Sequence, residues 1–155
     1  MKWIFGFAVF LLFACEPKTD IAGKVIKVKD GDSIVVLDSL RKQHEIRLAY
    51  IDAPERYQDF GQQSKNYLSD LVFGKNVGII IIEPSDRYGR IIAEVIVSDS
   101  VNVNKAMLAA GMAWHFDQYP GTFIHERLER KAKRNKAGLW ANPNAIPPWE
   151  FRRKK

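Results

Sequence analysis

The chain has 155 residues, the size of one domain, and a domain of that length buries roughly 70% of the surface its unfolded chain exposes. Lys and Arg total 24 against 18 Asp and Glu, and the resulting net charge of +6 favours an anionic partner such as nucleic acid over a basic one. Cys15 is the only cysteine, which excludes an intramolecular disulfide.

Residues Met1 to Cys15 differ in character from the remainder of the chain. Lys2 supplies a short positive end, Trp3 to Phe13 is almost wholly apolar, and Ala14 is a small residue before Cys15. A helix needs about 20 apolar residues to span a bilayer, whereas a secretory h-region needs about 7 to 15. This run fits the second. Leu12-Phe13-Ala14-Cys15 resembles a bacterial lipobox, after which the cysteine takes a diacylglyceryl group and becomes the mature N-terminus. The expected division is a signal peptide over residues 1–14, a polar tether over 15–20 and a folded domain over 21–155. That division implies an extracytoplasmic protein, lipid-anchored at Cys15 to a bacterial membrane. The competing reading of Cys15 is a buried free thiol.

From Ile21 the pattern is β: Val25, Ile26 and Val28, then Asp30-Gly31, then Ile34 to Leu37, which predicts a hairpin turning at Asp-Gly. A third strand is expected from Gln43 to Tyr50, with Ile46, Leu48 and Tyr50 on one face and Arg47 on the other. Gln58 to Val72 has helical spacing and ends near Gly74. Val77 to Ile82 and Ile91 to Val97 read as two more strands joined by a polar turn. Helices are expected over Asn102 to Ala110, closed by Gly111, and from about Thr122 to Ala137, with Ile124, Leu128 and Ala132 as the apolar stripe. The order predicts an α+β domain, a small five-stranded barrel with about three flanking helices.

Four acids, Asp30, Asp32, Asp52 and Glu55, cluster at the ends of the first and third strands. Asp30-Gly31 alone is explained by a turn, but a turn does not require Asp32. An EF-hand fails, because Ile34 and Val35 stand at the fifth and sixth positions counted from Asp30. Pro54 stiffens Ile51-Asp52-Ala53-Pro54-Glu55, so that Asp52, the Ala53 carbonyl and Glu55 can be aimed at one volume. A solvated surface turn is the alternative. Arg47 and Arg90 are the candidate cations, since guanidinium forks match phosphate oxygens in pairs. His44, His115 and His125 show no metal-ligand spacing and are read as structural or surface residues. The basic C-terminal run Phe151 to Lys155 is able to contact substrate by stacking and charge, or to remain a solvated end.

In order, Lys29-Asp30-Gly31-Asp32-Ser33, Ile46-Arg47-Leu48, Ile51-Asp52-Ala53-Pro54-Glu55, Asp86-Arg87-Tyr88-Gly89-Arg90 and Val103-Asn104 with Gly111 resemble the staphylococcal nuclease family. Gly138-Leu139-Trp140 and Pro147-Pro148-Trp149-Glu150 extend the likeness, which covers about Ile21 to Arg153. The resemblance implies an OB-fold barrel, one Ca²⁺ ion, and hydrolysis of DNA and RNA to 3′-phosphate products by a monomer. By position, Asp32, Asp52 and the Ala53 backbone carbonyl match the metal ligands. Glu55 matches the water-activating carboxylate, and Arg47 and Arg90 the phosphate-binding arginines. Arg87, Tyr88 and Tyr119 are candidate substrate contacts. Ala53 replaces a threonine of the best-known member, a change without consequence for a main-chain ligand. The rival class is a non-catalytic OB-fold nucleic-acid-binding lipoprotein, which needs the basic surface but has no use for the set Asp32, Arg47, Asp52, Glu55 and Arg90.

Overall fold

The computed structural model describes residues 19–98, 100–116 and 123–154. Cys15 and Tyr119, and with them the predicted leader and lipid site, lie outside the described residues. Three antiparallel strands come first: β1 (Ile21–Val28), β2 (Ser33–Asp38) and β3 (Gln43–Leu48). After a two-residue strand β4 (Ile51–Asp52), helix α1 (Gly61–Val72) leads to β5 (Asn76–Glu83) and β6 (Ile91–Val97). A short β7 (Val101–Asn102) runs into α2 (Val103–Ala109). The chain ends with β8 (Trp114–His115), α3 (Phe123–Arg134), a 3₁₀ turn over Gly138–Ala141 and α4 (Pro148–Arg153).

β1 pairs with both β2 and β5, β5 pairs with β6, and β3 runs parallel to β6 through Ile46↔Ile91 to Leu48↔Ala93. The five strands therefore close on themselves, leaving no edge between β3 and β6, and the architecture is the α+β OB-type barrel expected. Alternation puts Val25, Ile34, Val36, Ile46, Leu48, Ile79 and Val95 inside, where Leu68 and Val72 of α1 and Met107 and Leu108 of α2 pack against them. No helix among the described residues is long and apolar enough to cross a membrane.

Several expected boundaries move, each for a local reason. The third strand stops at Leu48, because Tyr50 adopts φ 65° and swings the chain out, so that Ile51-Asp52 pairs with Trp114-His115 instead of extending β3. Helix α1 begins at Gly61 and not Gln58, since the amide of Gln58 bonds Glu55 O and its Oε1 accepts from Glu55 N, folding the segment into a turn. Along α3 the buried face is turned in part from the predicted one: Ala132 is buried and Leu128 packs partly buried against the core, but His125 and Glu129 are buried with them while Ile124 is exposed. Polar contacts explain the rotation. His125 stacks on Tyr50 at 4.5 Å and lies 3.5 Å from Glu94, and Glu129 accepts from His115 N at 3.0 Å. The C-terminal α4 is an element that hydropathy patterning does not reveal, begun by Pro148 in the first turn, where proline costs no hydrogen bond.

Asn104 fastens the site end of the barrel. Wholly buried, its Nδ2 donates to Ala49 O (2.9 Å) and Ala93 O (3.0 Å), and its Oδ1 accepts from Val95 N (3.0 Å). Asn104→Ala would leave a donor and two acceptors of the strand ends without these bonds. It is expected to lower unfolding free energy by about 3 kcal/mol, read as a shift of the urea midpoint at constant slope. An unchanged midpoint would show that this clamp carries no stability.

Candidate nuclease site

The loop between β1 and β2, residues 29–32, does not form the two-residue hairpin turn expected of Asp-Gly. Lys29 N bonds Ser33 O at 2.8 Å across the loop, and neither Asp30 nor Gly31 has positive φ. Gly31 is required for a different reason: a Cβ there would run into Ser64 Oγ and Ala53 Cβ. This close approach presses the loop onto the Ile51–Glu55 segment. It seats Asp32 so that its Oδ2 accepts from Ala53 N at 2.7 Å and its Oδ1 from Ser33 Oγ at 3.0 Å.

Asp32 and Asp52 are 6% and 3% exposed, so Asp52 is too buried for the solvated turn of the alternative reading. Arg47 lies between them, on the face of β3 opposite Ile46 and Leu48 as the two-residue period requires. Its NH2 is 2.9 Å from Asp52 Oδ1 and 3.2 Å from Asp32 Oδ2, while its NH1 donates to Leu48 O (3.0 Å) and Ile51 O (2.8 Å). One guanidinium thus binds both buried acids and both ends of the turn at Tyr50. Glu55 stands at the rim, its side chain 38% exposed.

Arg90 lines the same depression but does not touch the acids. It precedes β6 and pairs with Asp86, through Nε at 2.9 Å and NH2 at 2.8 Å. Asp86 also accepts from the amides of Tyr88 and Arg90, and although burial alone would raise its carboxyl, these bonds together hold it below the usual range. Arg87 and Arg90 flank the exposed Tyr88 ring, at 4.8 and 5.3 Å from its centroid. Arg87 and Tyr88 line the same depression. The depression measures about 780 Å³, room for a nucleotide and not merely an ion. A second cavity of about 160 Å³, between Tyr57, Phe60, Trp114 and Phe151, has no basic side chain in its lining.

One residue in contact with the acids is not singled out by any sequence signal. Arg152, on α4, places NH2 2.8 Å from Asp52 Oδ2 and NH1 2.7 Å from Glu55 Oε1. In sequence it is one member of a basic C-terminal run. No local pattern pairs Arg152 with acids about a hundred positions earlier, although Pro147-Pro148 before Trp149 and Phe151 marks an anchored helix start. Packing of Trp149 on Phe116, with ring centroids 6.0 Å apart, holds α4 over the site.

Such crowding of acids has an energetic signature. Asp52 is pushed up by burial, and the hydrogen bonds and charges of Arg152 and Arg47 oppose the rise. Asp30 is pushed up to about 6, first by burial and then by the charge of Asp32. Among the described residues no three His, Cys, Asp or Glu side chains converge as a ready metal cage. A cation here would have Asp32 and Asp52 as charged ligands and water or phosphate for the rest, while Ala53, the expected carbonyl donor, is seen through its amide hydrogen bond to Asp32 and does not line the depression. The donors are all oxygen, which suits a hard divalent ion.

The family profile described as "Staphylococcal nuclease homologue" matches residues 45–142, a span that contains Arg47, Asp52, Ala53, Glu55 and Arg90. The chain belongs to the staphylococcal nuclease family. It is 44% identical over 136 residues to an Escherichia coli protein named "Uncharacterized endonuclease", covering 88% of each chain. A Haemophilus influenzae protein of the same name is 40% identical, with 94% of this chain and 80% of that one covered. A Shigella flexneri protein named "Micrococcal nuclease" is 37% identical over 156 aligned positions, covering 94% of this chain and 88% of its own. Nucleic acid binding is what membership implies.

Asp30 gives the site a pH-dependent cost. Its folded carboxyl is raised from 3.8 to about 6, so between those values the native state holds more protons than the unfolded one, and stability falls as pH rises through that window. Asp30→Asn keeps the oxygen that accepts from Asp32 N, at 3.1 Å in the parent, and removes the charge. In chelator it should stabilise the protein by up to about 3 kcal/mol near pH 7 and by almost nothing near pH 3.5, measured by chemical denaturation. An equal gain at both pH values would locate the effect elsewhere.

Proposed function

We propose that the protein is a calcium-dependent endonuclease that hydrolyses the phosphodiester bonds of DNA and RNA in this depression, leaving 3′-phosphates and 5′-hydroxyls. One observation carries the reading: Asp32 and Asp52 are buried side by side beneath Arg47, with Glu55 at the rim, in a chain of a nuclease family. Oxygen-only donors with no complete protein cage leave positions for substrate, and calcium bound there would polarise the phosphorus and help orient a water.

The protein's own groups do the rest. Glu55, partly exposed, accepts the proton of the attacking water as the P–O5′ bond breaks, and the departing 5′ oxygen takes its proton from solvent to leave as a hydroxyl. Arg90 has Nε and one NH2 donor bound to Asp86, which fixes its plane and leaves its other N–H groups for a phosphate oxygen. Held in that orientation, it stabilises the charge that gathers on the phosphate oxygens as water adds, more than it stabilises the substrate. Arg47, with both terminal nitrogens occupied, keeps the acids and the Tyr50 turn in register, and its NH2 can exchange a carboxylate oxygen for a phosphate oxygen. Arg87 and Tyr88 offer a charged and a stacking contact at the border of the site.

The test is single-turnover cleavage of an oligonucleotide beside equilibrium binding at fixed salt, in Ca²⁺, in Mg²⁺ and with chelator. Activity is expected in Ca²⁺ and not in chelator or Mg²⁺. Glu55→Gln should lose about 10²- to 10⁴-fold in rate with binding retained, and Arg90→Ala at least about 100-fold with a smaller loss of affinity. Near wild-type turnover in Glu55→Gln would remove Glu55 from the proton transfer. Binding without cleavage in the parent itself would favour the non-catalytic OB-fold module.

The lipobox-like Leu12-Phe13-Ala14-Cys15 supports a further part of the proposal, anchorage of the mature chain through a diacylglyceryl group on Cys15. Two acyl chains give stable membrane attachment where one gives marginal attachment. Cys15→Ser should shift the protein from the membrane to the soluble fraction with its nuclease rate intact. Retention in the membrane fraction would rule the lipid anchor out.

A further inference from the structure

Arg152 bridges two carboxylates to which the proposed reaction gives different tasks. Its NH2 takes Asp52 Oδ2 at 2.8 Å and its NH1 takes Glu55 Oε1 at 2.7 Å, with Asp52 Oδ1 lying 3.4 Å from NH1. Asp52 Oδ1 is in turn held by Arg47 NH2 at 2.9 Å, so each oxygen of Asp52 already faces a guanidinium. A cation on the remaining lone pair of either oxygen would press its charge against the guanidinium already there, so the two compete for Asp52. Arg47 is the harder to move, because other bonds tie it to Leu48 O, Ile51 O and Asp32. Among the described residues Arg152 bonds only the two acids, and its side chain is 47% exposed. Where it sits, between a cation ligand and the carboxylate that would accept a proton from water, it also holds Glu55 away from that task.

We propose that Arg152 is a tethered counter-cation of the nuclease site, which a divalent ion must displace from Asp52 and Glu55 before the site can act. The inference rests on the proposed cation-dependent activity and adds to it a built-in competitor carried by the C-terminal helix. Displacement exchanges the single charge of a guanidinium for the two of a divalent ion, and a half-exposed guanidinium regains water when it leaves. The arrangement therefore sets a threshold on cation concentration without closing the site. Apparent cation affinity is reduced by the fraction of molecules in which Arg152 is off the acids.

The experiment is calorimetric titration of Ca²⁺ into the purified full-length protein and into its Arg152→Ala, Arg152→Lys and Arg153→Ala variants, without nucleic acid. Arg153 is the exposed neighbour on the same helix and carries the same charge, so it reports general electrostatics. Arg152→Ala should bind Ca²⁺ at least about tenfold more tightly than the parent, since two charge-assisted bonds no longer compete. Arg153→Ala should change affinity by less than about twofold, as expected for a screened surface charge. Arg152→Lys, a single point charge that cannot bridge both acids, should fall between parent and alanine variant. Equal affinity in parent and Arg152→Ala, or equal gains in Arg152→Ala and Arg153→Ala, would overturn the inference and leave the nuclease reading standing. Absence of Ca²⁺ binding in all four proteins would overturn the calcium reading and the inference with it.

Discussion

Two carboxylates are buried next to each other outside the barrel, and much of the structure around them is what makes that tolerable. Removing a carboxylate from water costs several kcal/mol unless charge and hydrogen bonds replace the solvent, and a like charge nearby adds to the cost. Here the replacements are the Ala53 amide and Ser33 hydroxyl on Asp32, Arg47 on both acids, and Arg152 on Asp52. Asp30, whose carboxylate accepts from the Asp32 amide, is pushed up to about 6, and Asp52 is raised by its burial as well. The compensating groups arrive from several elements, so the acids can be assembled only by the completed fold.

Barrel closure performs that assembly. The parallel pairing of β3 with β6 sets Arg47 opposite Ile92 and brings the start of β6, with Arg90 just before it, to the same end of the barrel. Leu48 N bonds Asp32 O at 2.8 Å and Ala49 N bonds Ala93 O at 2.8 Å, so the β1–β2 loop, the end of β3 and β6 share one backbone network. Asn104 locks that network from beneath. A similar approach of backbones fixes the far side: Gly111 and Gly138, both at positive φ, let the end of α2 meet the turn after α3 where a Cβ on either would collide with backbone. Through this contact the C-terminal segment is registered on the barrel, and α4 can hold an arginine over acids it never approaches in sequence.

How much of this is legible in the sequence depends on how far each signal reaches. Period-two alternation is local, and it reveals the five barrel strands and the outward direction of Arg47. Ordered motifs carry the acids, since Asp32, Asp52 and Glu55 flank turns whose residue types are themselves informative. Legibility fails where tertiary contacts overrule local preference. Tyr50 takes positive φ against its propensity because the Ile51-Asp52 strand finds a partner at Trp114-His115. On α3 the apolar count points to Ile124, but a histidine stacked on Tyr50 and a glutamate bound to a backbone amide take the buried face. Gly31 stands out in the sequence as a turn residue, yet it is the approach of Ser64 and Ala53 that requires it. Arg152 leaves no local trace of its position because its partners are about a hundred residues away.

The balance between acids and arginines also links the stability of the fold to its use. The cluster is held by guanidinium groups that the proposed chemistry would assign elsewhere, and Asp30 beside it is raised first by its own burial and then by the charge of Asp32. A ligand that binds the native state and not the unfolded chain stabilises it in proportion to the logarithm of its concentration over its dissociation constant. A divalent ion at Asp32 and Asp52 would therefore act on both fold and site, removing repulsion and returning the arginines to the anionic partner. A barrel that only bound nucleic acid would gain nothing from burying these acids, since they repel phosphate and weaken the native state. Their retention beneath a basic rim, at a cost the rest of the fold must offset, is the physical distinction between this surface and that of a simple binding module.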